Sequence, residues 1–124
     1  MSGSAPADGL AGRRAPPGGG GTQLRVLDSL AGVGAAEWDA LDGAGQPFLR
    51  HAFLLALEES GCIGEGTGWL PRYLLARDAS GVLRAALPLY LKHHSRGEFV
   101  FDFAWANAYH RAGLAYFPKL VAAV

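Results

Sequence analysis

One aspartate stands among five aromatic rings in residues 99–113, FVFDFAWANAYHRAG, and a histidine and an arginine follow it. Burial accounts for the rings, because removing apolar area from water is stabilising. It does not account for Asp102, His110 or Arg111. A carboxylate beside Phe103 and Trp105 is partly desolvated, which raises its pKa toward the range useful to a general base or to a group that binds an amine. The competing reading of Asp102 is structural, an N-cap that accepts hydrogen bonds from the first turn of the following helix. Tyr109, His110, Arg111 and Lys119 form a second set. A helix brings Tyr109 and a residue three or four later onto one face, and cations there hold a phosphate or a carboxylate, unless they are solvated helix charge. His51, in LRHAF, reads from the residues alone as a helix histidine with one ring nitrogen bonded and the ring packed on Phe48 or Leu55. His93 and His94 lie in a polar turn with no cysteine or acid at ligand spacing, so no metal site is expected.

These residues need elements to position them. QLRVLD places Leu24 and Val26 on one side of an extended segment, a first strand. GAAEWDALD offers Ala36, Trp38 and Leu41 within a short helix that covers the sheet. PFLRHAFLLALEESG is the clearest helix: Pro47 suits the first turn, Phe48, Ala52, Leu55 and Ala56 recur at helical spacing, and Gly61 suits the stop. After the glycine-rich loop GCIGEGTG, the stretches LPRYLLARD and VLRAALPLYLK flank the turn tripeptide ASG and predict an antiparallel hairpin. Pro88 marks an edge or a bulge in its second arm. GEFVFDF alternates, with Phe99, Phe101 and Phe103 on one face and Val100 and Asp102 on the other, and predicts a third arm. The remainder reads as helix, interrupted at Gly113 and restarted at Pro118. The order is strand, helix, helix, three strands, helix.

Composition narrows the partners. The chain has 124 residues, enough for one small domain, and 11 basic residues balance 11 acidic ones. Nothing in that balance suggests a footprint for DNA or for an anionic membrane. No apolar run approaches the roughly 18 residues a membrane helix needs, so no transmembrane segment is expected. The single cysteine, Cys62, permits no internal disulfide and suits a reducing, cytoplasmic setting. Residues 1–22 are Gly/Pro-rich with almost nothing to bury and read as a disordered tail, leaving 23–124 as the folded domain. Arg13 and Arg14 precede APPGGGG rather than the apolar stretch that an export signal requires.

The segments PFLRHAFLLALEESG, LPLYLKHHSRGEFVFDFAWANAYHRAG and AYFPKL resemble the FemAB-like family, described as acting in peptidoglycan biosynthesis or recognition, and the element order resembles the opening part of the GNAT N-acyltransferase fold. The resemblance covers residues 24–124. It implies an α/β (α+β) fold, a mostly antiparallel sheet flanked by helices, in which 23–124 form the N-terminal part of a domain and KLVAAV leaves the C-terminal half missing. It also implies transfer of an acyl or aminoacyl group from acyl-CoA or aminoacyl-tRNA to an amine, such as that of a cell-wall precursor. Asp102 would then be the catalytic residue that orients the amine, with His51, Trp105, Tyr109, Arg111 and Lys119 binding substrate. The junction FDFAWANAYH lacks the glycine-rich turn with which such folds hold a pyrophosphate, and HRAGLAY is at best a remnant of it. This segment is therefore expected to bind no cofactor itself. The alternative is a non-catalytic module that binds peptidoglycan or peptide.

Overall fold

The structure, a computed structural model, describes residues 20–99 and 101–122. Most of the expected tail, residues 1–19, lies outside them, as does Val100. Strand β1 (Gln23–Leu27) leads to helix α1 (Ala35–Asp39), two single 3-10 turns (Asp42–Gly45 and Pro47–Leu49) and helix α2 (His51–Glu59). Strands β2 (Leu70–Pro71), β3 (Tyr73–Arg77), β4 (Leu83–Leu87) and β5 (Tyr90–Lys92) follow, then helix α3 (Phe103–Arg111) and strand β6 (Lys119–Val121). The strands form two antiparallel sheets of three, β1-β3-β4 and β2-β5-β6. This is the mixed fold with antiparallel pairing that the sequence suggests.

The hairpin forms where the tripeptide ASG predicts it. Asp78 Oδ1 accepts from the backbone N–H of Ser80 and Val82 and from the Ser80 hydroxyl, closing the turn with its own side chain. Each arm is nevertheless broken in two. Pro71 and Pro88 cannot donate to a ladder, and near them the chain passes from one sheet to the other, held by a bond from the Arg72 N–H to the Leu89 carbonyl at 2.7 Å. The irregularity in the β3–β4 register falls at Ala76/Arg77 rather than at Pro88.

The core sits between the first sheet and the two leading helices. It comprises Leu30, Val33, Trp38, Leu54, Tyr73, Leu75 and Leu83. Trp38 packs edge-on against Tyr73 at 6.1 Å and donates its indole N–H to the Leu49 carbonyl at 2.8 Å. Glu58 ties α2 to the end of β1, accepting from the Ser29 hydroxyl at 2.7 Å and the Leu30 N–H at 2.9 Å. The buried face of α2 carries His51 and Leu54, whereas Phe48, Ala52 and Ala56 are exposed. Of the expected apolar set only Leu55 packs against the core, half-buried, so the buried face of the helix is turned from the one its spacing suggests. Leu24 and Val26 do share one side of β1, but that side points away from the core, and the cross-strand residues Leu74, Ala76, Ala85 and Leu87 continue it as an apolar outer face.

Two expectations are corrected. The third arm does not form: among the described residues of 97–102 there is no strand, and Phe99, Phe101 and Phe103 are exposed rather than packed on one face. Phe103 already begins α3. Glu98 and Asp102 are both drawn to Lys119, and those ion pairs set the path of the segment in place of phenylalanine alternation. The chain does stop its helix near Gly113, which adopts φ +71, a value glycine tolerates best. It does not restart as helix after Pro118. Residues Lys119–Val121 pair with β5 instead, Lys119 opposite Lys92.

Leu54→Ala, deep in the core, should cost about 2–5 kcal/mol, whereas Phe99→Ala should stay within about 0.5 kcal/mol, as at ordinary surface positions. Urea denaturation of both variants checks this. A large loss at Phe99 would restore the buried third strand.

Candidate functional site

Strands β5 and β6 place two lysines directly opposite each other, Lys92 and Lys119. Like charges across a ladder repel, so the pair requires nearby anions. Glu98 lies between them, with Oε2 2.7 Å from Lys119 Nζ and Oε1 3.7 Å from Lys92 Nζ. Asp102 Oδ2 forms a further short ion pair with Lys119. The third donor of Lys119 goes to the Ser95 hydroxyl at 3.0 Å. Lys92 is fully buried: its ammonium donates to the Arg96 carbonyl at 2.9 Å and lies 3.4 Å from the centre of the Trp69 ring, where the π face offers further attraction. The Tyr116 hydroxyl donates to Asp102 Oδ2 at 2.7 Å, which fastens the segment after α3 to the residue before it.

The electrostatics reverse one expectation. Asp102 is held well below the usual carboxylate range, first by the hydrogen bond from Lys119 and then by the neighbouring Ser95 hydroxyl and the hydrogen bond from Tyr116, which together outweigh desolvation. It stays anionic, and a carboxylate with so depressed a pKa is a weak base. Asp102 occupies the N-cap position of α3, yet its side chain makes no capping hydrogen bond, because Lys119 and Tyr116 claim it. Its other oxygen, Oδ1, is buried without a partner among the described residues. Burial alone would lower the pKa of Lys119, but its hydrogen bonds to Asp102 and Glu98 prevail and raise it. Desolvation lowers that of Lys92, only partly opposed by Glu98. The Tyr116 phenol is raised by its bond to Asp102.

The structure therefore brings Asp102 and Lys119 into one cluster, though through an ion pair and not along a helix. Tyr109 joins at its edge, packed edge-on against Tyr116 at 5.1 Å. Trp105 stands on α3 three residues after Asp102 and is 67 % exposed. Arg111, also exposed, ends α3 and makes no ion pair among the described residues. His51 belongs to the other layer, buried, with Nε2 3.2 Å from the Leu30 carbonyl oxygen and its backbone N–H donated to Asp39. Sequence reading missed Lys92, Ser95, Glu98, Tyr116 and Trp69. The one signal that could have found them was β5–β6 pairing, which hides in a strand of only three residues. Beside the cluster, Asn107, His110, Leu114, Tyr116 and Phe117 line a cleft of about 400 Å³. Tyr116 belongs to both, its hydroxyl on Asp102 and its ring in the cleft wall.

A family model for FemAB-like proteins, described as peptidoglycan biosynthesis/recognition, matches residues 29–124. The chain belongs to this family, whose members are tied to peptidoglycan and hence to cell-wall material. Comparison with curated proteins and with solved structures gives no match. Among the described residues no helix is long and apolar enough to cross a membrane.

The cluster should give the fold a characteristic pH dependence. Asp102 is depressed in the folded state, so its contribution is fully present above the unfolded value near pH 4 and is lost as pH falls through the folded value. Lys119 is raised, so its contribution is present below its unfolded value of roughly 10.4 and is lost as pH climbs past it. Lys119→Met leaves two carboxylates without their shared cation and should cost about 3–5 kcal/mol at neutral pH. Its deficit relative to the native chain should shrink by pH 2. Denaturation at both pH values measures the difference, and a deficit independent of pH would contradict the ion-pair reading.

Proposed function

We propose that the chain serves an N-acyltransferase of the FemAB-like and GNAT type, which moves an acyl or aminoacyl group onto an amine of a peptidoglycan precursor, and that this part of it holds the acceptor. The observation that carries this reading is the exposed Trp105 on a helix whose entry is pinned by a charged cluster. A large aromatic left in water contributes little to the fold and is well suited to a ligand. In such a transfer the amine must lose a proton and the donor carbonyl must be polarised by N–H donors. Asp102, kept anionic by Lys119, suits an orienting charge for a cationic amine better than a proton acceptor. Tyr109 and Arg111 lie on the same helix and extend the contact surface, with Arg111 suited to an acceptor carboxylate or phosphate. The donor in this reading is acyl-CoA or aminoacyl-tRNA, and the step is cytoplasmic.

A second reading is recognition without turnover, a peptidoglycan-binding or peptide-binding module. The depressed pKa of Asp102 favours it, since no other carboxylate of the cluster is free to act as base.

Trp105→Ala separates a ligand wall from a core residue. Its exposure predicts a change in stability within about 0.5 kcal/mol, together with at least a tenfold loss of affinity for a soluble peptidoglycan precursor, measured by calorimetric titration. Unchanged affinity in the folded variant would remove Trp105 from the site. A parallel assay of labelled acyl transfer decides between the readings: transfer by the native chain supports the transferase, and absence of transfer despite intact binding supports recognition alone.

A further inference from the structure

The glycine-rich loop after α2 has no part in the cluster around Lys119, yet it borders a cavity of about 670 Å³, within the range of small-molecule sites. Asp28 and Ser29 at the exit of β1, Gly64, Glu65 and Gly66 in the loop, and Arg72 between β2 and β3 line it. Some charges elsewhere are paired within the protein, Arg77 with Glu37, Arg84 with Asp78, and Lys119 with Glu98 and Asp102, while others such as Arg25, Arg50 and Arg111 stand on the surface without an ion pair among the described residues. Among the described residues Asp28, Glu65 and Arg72 form no ion pair, although all three face one cavity. Arg72 donates one Nη1 bond to the Pro71 carbonyl, which leaves most of its five N–H donors unspent. The N–H groups of Glu65 and Gly66 donate to no acceptor among the described residues. Gly64 adopts φ +119, and a Cβ there would meet nothing within 4 Å, so glycine is required by the path of the loop and not by crowding.

The charges define the ligand. A phosphate would meet two carboxylates for one guanidinium, and a bare cation would meet that guanidinium; no group of three metal-ligating side chains exists among the described residues. A molecule carrying both signs satisfies all three. We propose that this cavity binds a small zwitterion of amino-acid to dipeptide size, with Arg72 holding its carboxylate and Asp28 and Glu65 its ammonium group. A planar guanidinium matches a carboxylate through two parallel N–H donors. The site shares no residue with the Asp102 cluster and stands independently of the acceptor reading.

Calorimetric titration of the full chain with the dipeptide Ala-Ala tests it, alongside N-acetyl-Ala-Ala, which lacks the ammonium, and Ala-Ala amide, which lacks the carboxylate. Saturable binding of Ala-Ala is expected, weakened about ten- to hundredfold by either cap, the range for losing a hydrogen bond to a charged group. Arg72→Gln should weaken Ala-Ala to the level of its amide, and Glu65→Gln, which leaves only Asp28 for the ammonium, should reduce the preference over the acetylated form. Equal binding of the capped peptides, no saturable binding, or an unchanged affinity in Arg72→Gln would overturn the proposal. Should Arg72→Gln unfold, the exposed Glu65→Gln decides alone. Dipeptide binding that survives while Trp105→Ala leaves precursor affinity unchanged would sink the acceptor reading and spare this one.

Discussion

The second half of the molecule depends on one ammonium group. Lys119 Nζ holds Ser95, Glu98 and Asp102 at once, three points of a segment that lacks any described ladder of its own. Every one of its three donors is used, which is the condition under which a largely buried charge is tolerated. Around it the positions follow. Glu98 is held between two lysines, Lys92 is pressed onto Trp69, and Tyr116 returns from beyond α3 to Asp102. The helix that carries Trp105, Tyr109 and Arg111 is thereby fastened at both ends, although none of its side chains is buried. A helix with no buried face gains little from the hydrophobic effect. Its placement comes from electrostatics at its flanks.

The first half is built on a different principle. Apolar packing around Trp38, Leu54 and Tyr73 joins the sheet β1-β3-β4 to α1 and α2, with few polar ties. The charged pairs there, Arg77 with Glu37 and Arg84 with Asp78, are partly exposed and of the kind that contributes little. The two halves meet along the broken hairpin arms, where prolines shift each strand from one sheet to the other. A family tied to peptidoglycan thus presents, on one chain, a conventional core and a charge-organised surface carrying exposed aromatic rings.

What the sequence revealed follows from that division. In the half built on apolar packing the elements were legible but not all their buried faces. Strand β1, the Trp38 helix, α2 and the hairpin around Ser80 form where spacing and turn residues put them, yet Leu24 and Val26 of β1 and Ala52 and Ala56 of α2 face away from the core. Where ion pairs decide, pattern reading failed. GEFVFDF alternates as a strand does, but Asp102 and Glu98 have a stronger partner in Lys119, and the phenylalanines yield. Lys119 itself was read as helical because nothing local distinguishes a three-residue strand after Pro118 from a helix restart. Asp102 and Lys119 were both singled out, yet their bond spans 17 residues of sequence and no local signal announces it. The direction of the Asp102 shift was lost for the same reason: two neighbouring rings suggested desolvation, and the distant cation outweighs it.

The central claim is that Lys119 holds Asp102 as an anion and so sets the course of residues 95–102. Titration of the Asp102 side-chain carboxyl by carbon-detected NMR in the native chain tests it most directly. The predicted result is a midpoint well below the ordinary aspartate value of about 3.9, rising toward that value in Lys119→Met if the segment stays folded. A midpoint at or above the ordinary value in the native chain would mean that burial prevails over the ion pair, and the cluster described here would not be what organises this half of the molecule.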